Sequence, residues 1–138
     1  MAKANDLHRY FCILAIENRR DGYHKQALAY RDTILQSGLG LITTDYVLDE
    51  SYTIIRLRAS HAVAVQFGED ILASRIIQIE YMTSELIKEA WRIFKSFADK
   101  EFSFTDGTSF ALMEHLHIDT VFTFDDHFRQ YGKFIVRP

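Results

Sequence analysis

FSFTDGTSFALMEHLH, residues 102–117, pairs an acid with a helical apolar pattern. Phe110, Met113 and Leu116 recur at helical spacing, and Ala111 and Leu112 widen the stripe, so a largely buried helix is expected. Thr105 is the candidate N-cap, which would make Asp106 the first helical residue. A carboxylate there lies against the positive end of the helix macrodipole, near backbone N–H groups that have no partner inside the helix. Asp106 is then either a support for the cap or an acid held at the open end of a helix whose body is locked into the core.

Short apolar runs alternate with amphipathic segments on both sides of this helix. Thr120–Phe124, TVFTF, reads as a strand that stops at Asp125-Asp126, and Phe134–Val136 as a last short strand. Upstream, Thr83 caps a long helix with Leu86, Ile87, Ala90, Trp91, Phe94 and Phe97 on its apolar side. RIIQIE, 75–80, is a strand, and His61–Ala73 a helix weakened at Gly68. Leu39–Thr43 is a strand ending in threonines. Thr44 caps the helix that follows, with Asp45 in its first turn and Val47, Leu48, Ile54, Ile55 and Leu57 apolar, running to about Ala59. His24–Gln36 reads as a further helix. YFCILAI, 10–16, is apolar throughout and fits a buried strand or a buried helix equally. This alternation predicts an α/β fold, with strands near 39–43, 75–80, 120–124 and 133–136 in one mainly parallel sheet covered by helices on both faces. Ligands then belong at the carboxyl ends of the strands.

The chain has 138 residues, no linker and no repeat, which predicts one domain over 1–138. Hydrophobic residues make up 48% and aromatic ones 14%, which excludes a disordered chain. A formal net charge of −3 leaves any nucleic-acid surface to be built locally. Cys12 is the only cysteine, so no internal disulfide and no cysteine zinc cage can form. No apolar run approaches the roughly 18 residues of a membrane span, and MAKANDLHRY lacks the apolar core of a signal peptide. A soluble cytoplasmic protein with no membrane partner is expected.

Three acids fit the carboxyl-end rule. Asp125 follows the strand TVFTF, Glu50 lies in the second turn of the helix after LIT, and Asp106 opens a helix on that side. Carboxylates brought close repel each other unless a cation joins them. Oxygen donors without cysteine or clustered histidine suit Mg²⁺ or Mn²⁺ better than zinc. Such an ion polarises a phosphoryl oxygen and acidifies a bound water, which is phosphodiester hydrolysis chemistry.

TTDYVLDE (43–50), FSFTDGTSFALM (102–113) and FTFDDHFRQYG (122–132) resemble the acidic motifs of PIN-domain proteins, especially VapC-type toxin ribonucleases. NRRDGYH (18–24) is similar to the turn after that family's first helix, and the likeness runs from about Ile16 to Val136. It implies a three-layer α/β/α fold and an endoribonuclease that uses Mg²⁺ or Mn²⁺ held by four acids, with Glu50, Asp106 and Asp125 as three of them. It also implies an RNA substrate, a homodimer and an antitoxin protein as partner. Residues 1–9 depart from the pattern, because AKAND is not an apolar strand ending in Asp. Asp6 is the candidate fourth ligand, with Glu17 or Asp21 as substitutes, or the acid is absent. In that last case the chain is a catalytically weakened PIN module that binds RNA or a protein partner.

Arg19, Arg20 and Arg129 adjoin loops near the expected site and are candidate phosphate contacts. Asp126 is read as a solvated turn residue, and Asp45 and Asp49 as helix-start and surface charges. His115 and His117, two apart on a helix, point in different directions. His127 is read as a surface residue that can reach substrate or water. Ser109 and Thr123 are read as packing groups that can orient metal-bound water.

Overall fold

The computed structural model describes residues 9–12, 40–123 and 126–137. Five strands form one sheet: β1 (Arg9–Cys12), β2 (Gly40–Thr44), β3 (Ile77–Glu80), β4 (Thr120–Phe122) and β5 (Ile135–Arg137). Their order is β3-β2-β1-β4-β5, and all four pairings are parallel. The four strand regions expected from sequence all lie in this sheet. The described part of the ambiguous apolar run, Tyr10–Cys12, is strand, and a central one: Phe11 sits opposite Ile42 on one side and Val121 on the other, while residues 13–16 lie outside the described residues. The helix expected at 24–36 and the NRRDGYH turn lie outside the described residues.

The strand order runs one way from β1 through β2 to β3, then resumes on the other side at β4 and β5. Right-handed crossovers put the helices of two such halves on opposite faces. The reversal between β1 and β4 makes the crevice at their carboxyl ends the place where an open α/β sheet takes a ligand.

Local chemistry explains where each helix starts. The Thr44 side chain accepts from Val47 N at 3.0 Å and opens α1 (Asp45–Arg58) directly from the end of β2. Ser60 caps α2 (His61–Ala73) in the same way. Gly68 does not interrupt α2. A Cβ there would lie 3.1 Å from the Tyr52 ring, so the glycine allows α1 and α2 to approach closely. Thr83 caps α3 (Ser84–Ser96) through Leu86 N, as expected. The inward face of α3 differs from the sequence reading. Leu86, Ala90 and Ile93 are buried, whereas Trp91 and Phe94 are 52% and 38% exposed.

Helix α4 (Phe104–Leu116) is buried continuously from Asp106 to Met113. It lies so close to α3 that a Cβ on Gly107 would stand 3.1 Å from the Ala90 carbonyl oxygen. At its far end His117 takes a left-handed φ of 56°, and Ile118 N returns to Met113 O at 2.9 Å, closing the last turn. A short helix, α5 (His127–Tyr131), is held against α4 by aromatic contacts. Phe110 stacks on Tyr131 at 4.2 Å between ring centroids and meets Phe128 edge-on at 5.0 Å. The Tyr131 hydroxyl donates to Glu114, and burial pushes its pKa upward.

Phe110 is fully buried at the centre of this cluster. Phe110→Ala is expected to cost about 3–5 kcal/mol of folding stability, read as a lower urea midpoint with the slope unchanged.

Candidate functional site

The heads of α1 and α4 meet at the carboxyl rim of the sheet. Tyr46, in the first turn of α1, lies 6.1 Å from Phe104, the first residue of α4, measured between ring centroids. Glu50 follows in the second turn of α1 and is exposed. Asp45 is more than a helix-start charge, because its carboxylate accepts from Met82 N at 3.0 Å and ties this corner to the loop after β3.

Asp106 is 8% exposed and sits in the first turn of α4. The cap is Ser103, not Thr105, so Asp106 is the third helical residue rather than the first. Ser103 Oγ accepts from Asp106 N at 3.0 Å, while Asp106 Oδ2 accepts from Ser103 N at 2.9 Å. This reciprocal capping box satisfies two N–H groups that helix geometry leaves open. The serine three residues before an acid carries that signal in the sequence; a cap at Thr105 lacks the reciprocal partner.

The same oxygen, Oδ2, also lies 2.7 Å from His127 Nδ1. An ionised carboxylate only accepts hydrogen bonds, so Nδ1 carries the proton in this contact. His127 is not a plain surface residue. Its side chain is 28% exposed, and its ring meets Phe102 edge-on at 5.6 Å. Through this bond the segment after β4 closes on the head of α4, and with it the second and third acidic motifs meet. Asp125, two positions before His127, lies outside the described residues, as do Asp6, Arg19 and Arg20. Arg129 is exposed on α5, and Asp126 is exposed at its start, where it accepts from Gln130 Nε2 at 2.9 Å.

The donors at this rim are hard oxygens. Glu50 and Asp106 supply carboxylates, and two hydroxyls, one on β2 and one on α4, bear on whether a cation fits. Thr43 Oγ1, near the end of β2, and Ser109 Oγ, one turn beyond Asp106, are buried and have no hydrogen-bond partner among the described residues. A buried hydroxyl left so costs about 1–3 kcal/mol, and an ordered water or ion is the usual remedy. Oxygen donors of this kind suit a hard divalent cation. Among the described residues, no three of His, Cys, Asp and Glu come close enough to hold a metal, so a complete set needs an acid from outside them.

A profile of the PIN domain matches residues 12–134. The 23S rRNA-specific endonuclease VapC20 of Mycobacterium tuberculosis is 34% identical over 98 residues, covering 71% of this chain and 74% of that protein. A VapC ribonuclease of Archaeoglobus fulgidus is 27% identical over 111 residues, covering 79% and 69%. The crystal structure of Mycobacterium tuberculosis VapC20, a sarcin-ricin loop cleaving toxin, superposes with a TM-score of 0.79 at 29% identity. It covers 94% of this chain and 99% of that one. FitAcB from Neisseria gonorrhoeae superposes with a TM-score of 0.65 over 94% of this chain and 96% of that one; at 16% identity it speaks for the fold alone.

Ser103→Ala is expected to lower stability by about 0.5–2 kcal/mol, while Thr105→Ala changes it less. Urea unfolding of the two variants separates these positions. Equal losses would return the cap to Thr105.

Proposed function

The chain belongs to the PIN-domain family and is a VapC-type toxin ribonuclease, and we propose that it cuts RNA by divalent-metal-dependent phosphodiester hydrolysis. Glu50, Asp106 and Asp125 hold the ion in this reading, with Asp6 as the candidate fourth ligand. One observation carries it. Asp106 is a buried acid at a helix head, held at 2.7 Å by a residue from the segment that contains Asp125. Mg²⁺ or Mn²⁺, when bound, supplies polarisation of a phosphoryl oxygen and an acidified water.

The chain's own part is to hold and aim charge. Asp106 is fixed by the capping box, so its carboxylate has little freedom to lose on binding. Glu50 stands exposed at the rim, where it can reach a cation that also faces RNA. Asp125 ends the strand region TVFTF and completes the set in this proposal. Arg129, exposed on α5, and Arg19 and Arg20 are the proposed contacts to the RNA backbone. The relative VapC20 is named for 23S rRNA, so RNA containing the sarcin-ricin loop is the first substrate to try.

The partners follow the same reading: an antitoxin protein that covers the site, and a second copy of the chain. Leu57, Leu72 and Trp91 are 78%, 62% and 52% exposed, apolar area that association would bury. Among the described residues, no helix is long and apolar enough to cross a membrane. A cytoplasmic location belongs to the same proposal.

Asp106→Asn keeps an oxygen that can accept from Ser103 N, so α4 should survive while metal-dependent cleavage falls roughly 100-fold or more. Glu50→Gln should fall with it. Cleavage of a sarcin-ricin-loop RNA, assayed with Mg²⁺, Mn²⁺ and chelator, reads both; parental activity in Asp106→Asn would overturn the site. Light scattering at micromolar concentration is expected to return twice the chain mass, and a single-chain mass would remove the homodimer.

A further inference from the structure

His127 stands in the FTFDDHF motif without a role in the set of acids. Its ring is held by contacts to Asp106 and Phe102, and the side chain is 28% exposed. Nδ1 meets Asp106 Oδ2 at 2.7 Å, and the ring face is set by Phe102, edge-on at 5.6 Å. The helix it opens is pinned by Phe128, which is fully buried, and by Tyr131 stacked on Phe110. The backbone that carries His127 cannot move away from Asp106 without pulling these aromatic rings from α4.

We propose that His127 is a positioning residue for Asp106, holding that carboxylate in the orientation in which it ligates a divalent cation. The inference rests on the metal-site reading of Asp106. Two donors, Ser103 N–H and His127 Nδ1–H, arrive at one oxygen. Donors from two different elements restrict rotation of the carboxylate about its Cβ–Cγ bond more than the backbone donor of its own helix does. Hydrogen bonds of this kind to metal ligands carry much of a site's affinity. Because the donor comes from α5, the position of Asp106 is set by packing between α5 and α4 rather than by α4 alone. His127 acts through Asp106 and is assigned no contact with RNA.

The test measures Mn²⁺ binding to the RNA-free protein by the EPR signal of free Mn²⁺, alongside the metal concentration for half-maximal RNA cleavage. His127→Phe keeps a ring against Phe102 and removes the donor. It should weaken Mn²⁺ binding by about 10–100-fold and raise the half-maximal metal concentration in step. His127→Asn returns an N–H donor near Nδ1 and should regain most of that loss, which a purely structural role would not produce. His127→Leu removes the donor in a smaller side chain if the Phe variant does not fold. Parental Mn²⁺ binding in a folded donor-free variant overturns the inference while leaving the metal site standing, provided Asp106→Asn has lost binding. If Asp106→Asn binds Mn²⁺ and cuts as the parent does, or the parent takes up no Mn²⁺, the inference falls together with the reading it rests on.

Discussion

Asp106 is a carboxylate taken almost entirely out of water, and such a group persists only where donors replace the water it has lost. One donor is local, the Ser103 backbone N–H that the first turn of α4 leaves open. Another is distant in sequence, His127 Nδ1, delivered by α5. These two bonds weld a helix start to the segment after the fourth strand. The rim of the sheet therefore has a definite shape at the place where parallel topology already directs a ligand.

That weld needs stiff supports. Helix α4 is buried along most of its length and packs closely on α3 at Gly107, where only the smallest residue leaves room for the Ala90 carbonyl. Phe110, Phe128 and Tyr131 lock α5 onto α4 from the other side. Aromatic rings suit this task because they bury large area with few rotatable bonds. Glu50 lies outside this rigid block, exposed on α1, joined to it through the contact of Tyr46 with Phe104. A fixed acid on α4 and an exposed one on α1 are what the proposed function asks of this rim, to hold an ion and to admit a large polyanion.

The orphaned hydroxyls of Thr43 and Ser109 belong to the same picture. Protein interiors rarely leave such groups without partners, because their desolvation is costly. Their presence on β2 and α4, the elements that lead into and carry the candidate ligands, marks the rim as a place built for polar company. The exposed Trp91 and Phe94 on α3 show the opposite chemistry, an apolar strip over which a protein surface can lie.

Much of this was legible in the chain itself. Period and capping chemistry are local, so β2, β3, the caps at Thr44 and Thr83 and the buried body of α4 follow from residues a few positions apart. The acidic motifs were likewise readable as short patterns, and they carried the family resemblance. The cap at Ser103 was present as a serine three residues ahead of Asp106, a local signal that points to a different residue than Thr105. Tertiary contact alone settled the rest. YFCILAI reads equally as strand or helix, and only the pairing of its first three residues with β2 and β4 makes those residues a strand. Trp91 looks inward by spacing, yet Leu86, Ala90 and Ile93 are the buried positions and Gly107 of α4 closes on Ala90. His127 resembles any surface histidine, because its partner is brought to it by the packing of α5 on α4. No periodicity within a segment encodes which face a neighbouring helix will cover or which distant side chain will arrive there.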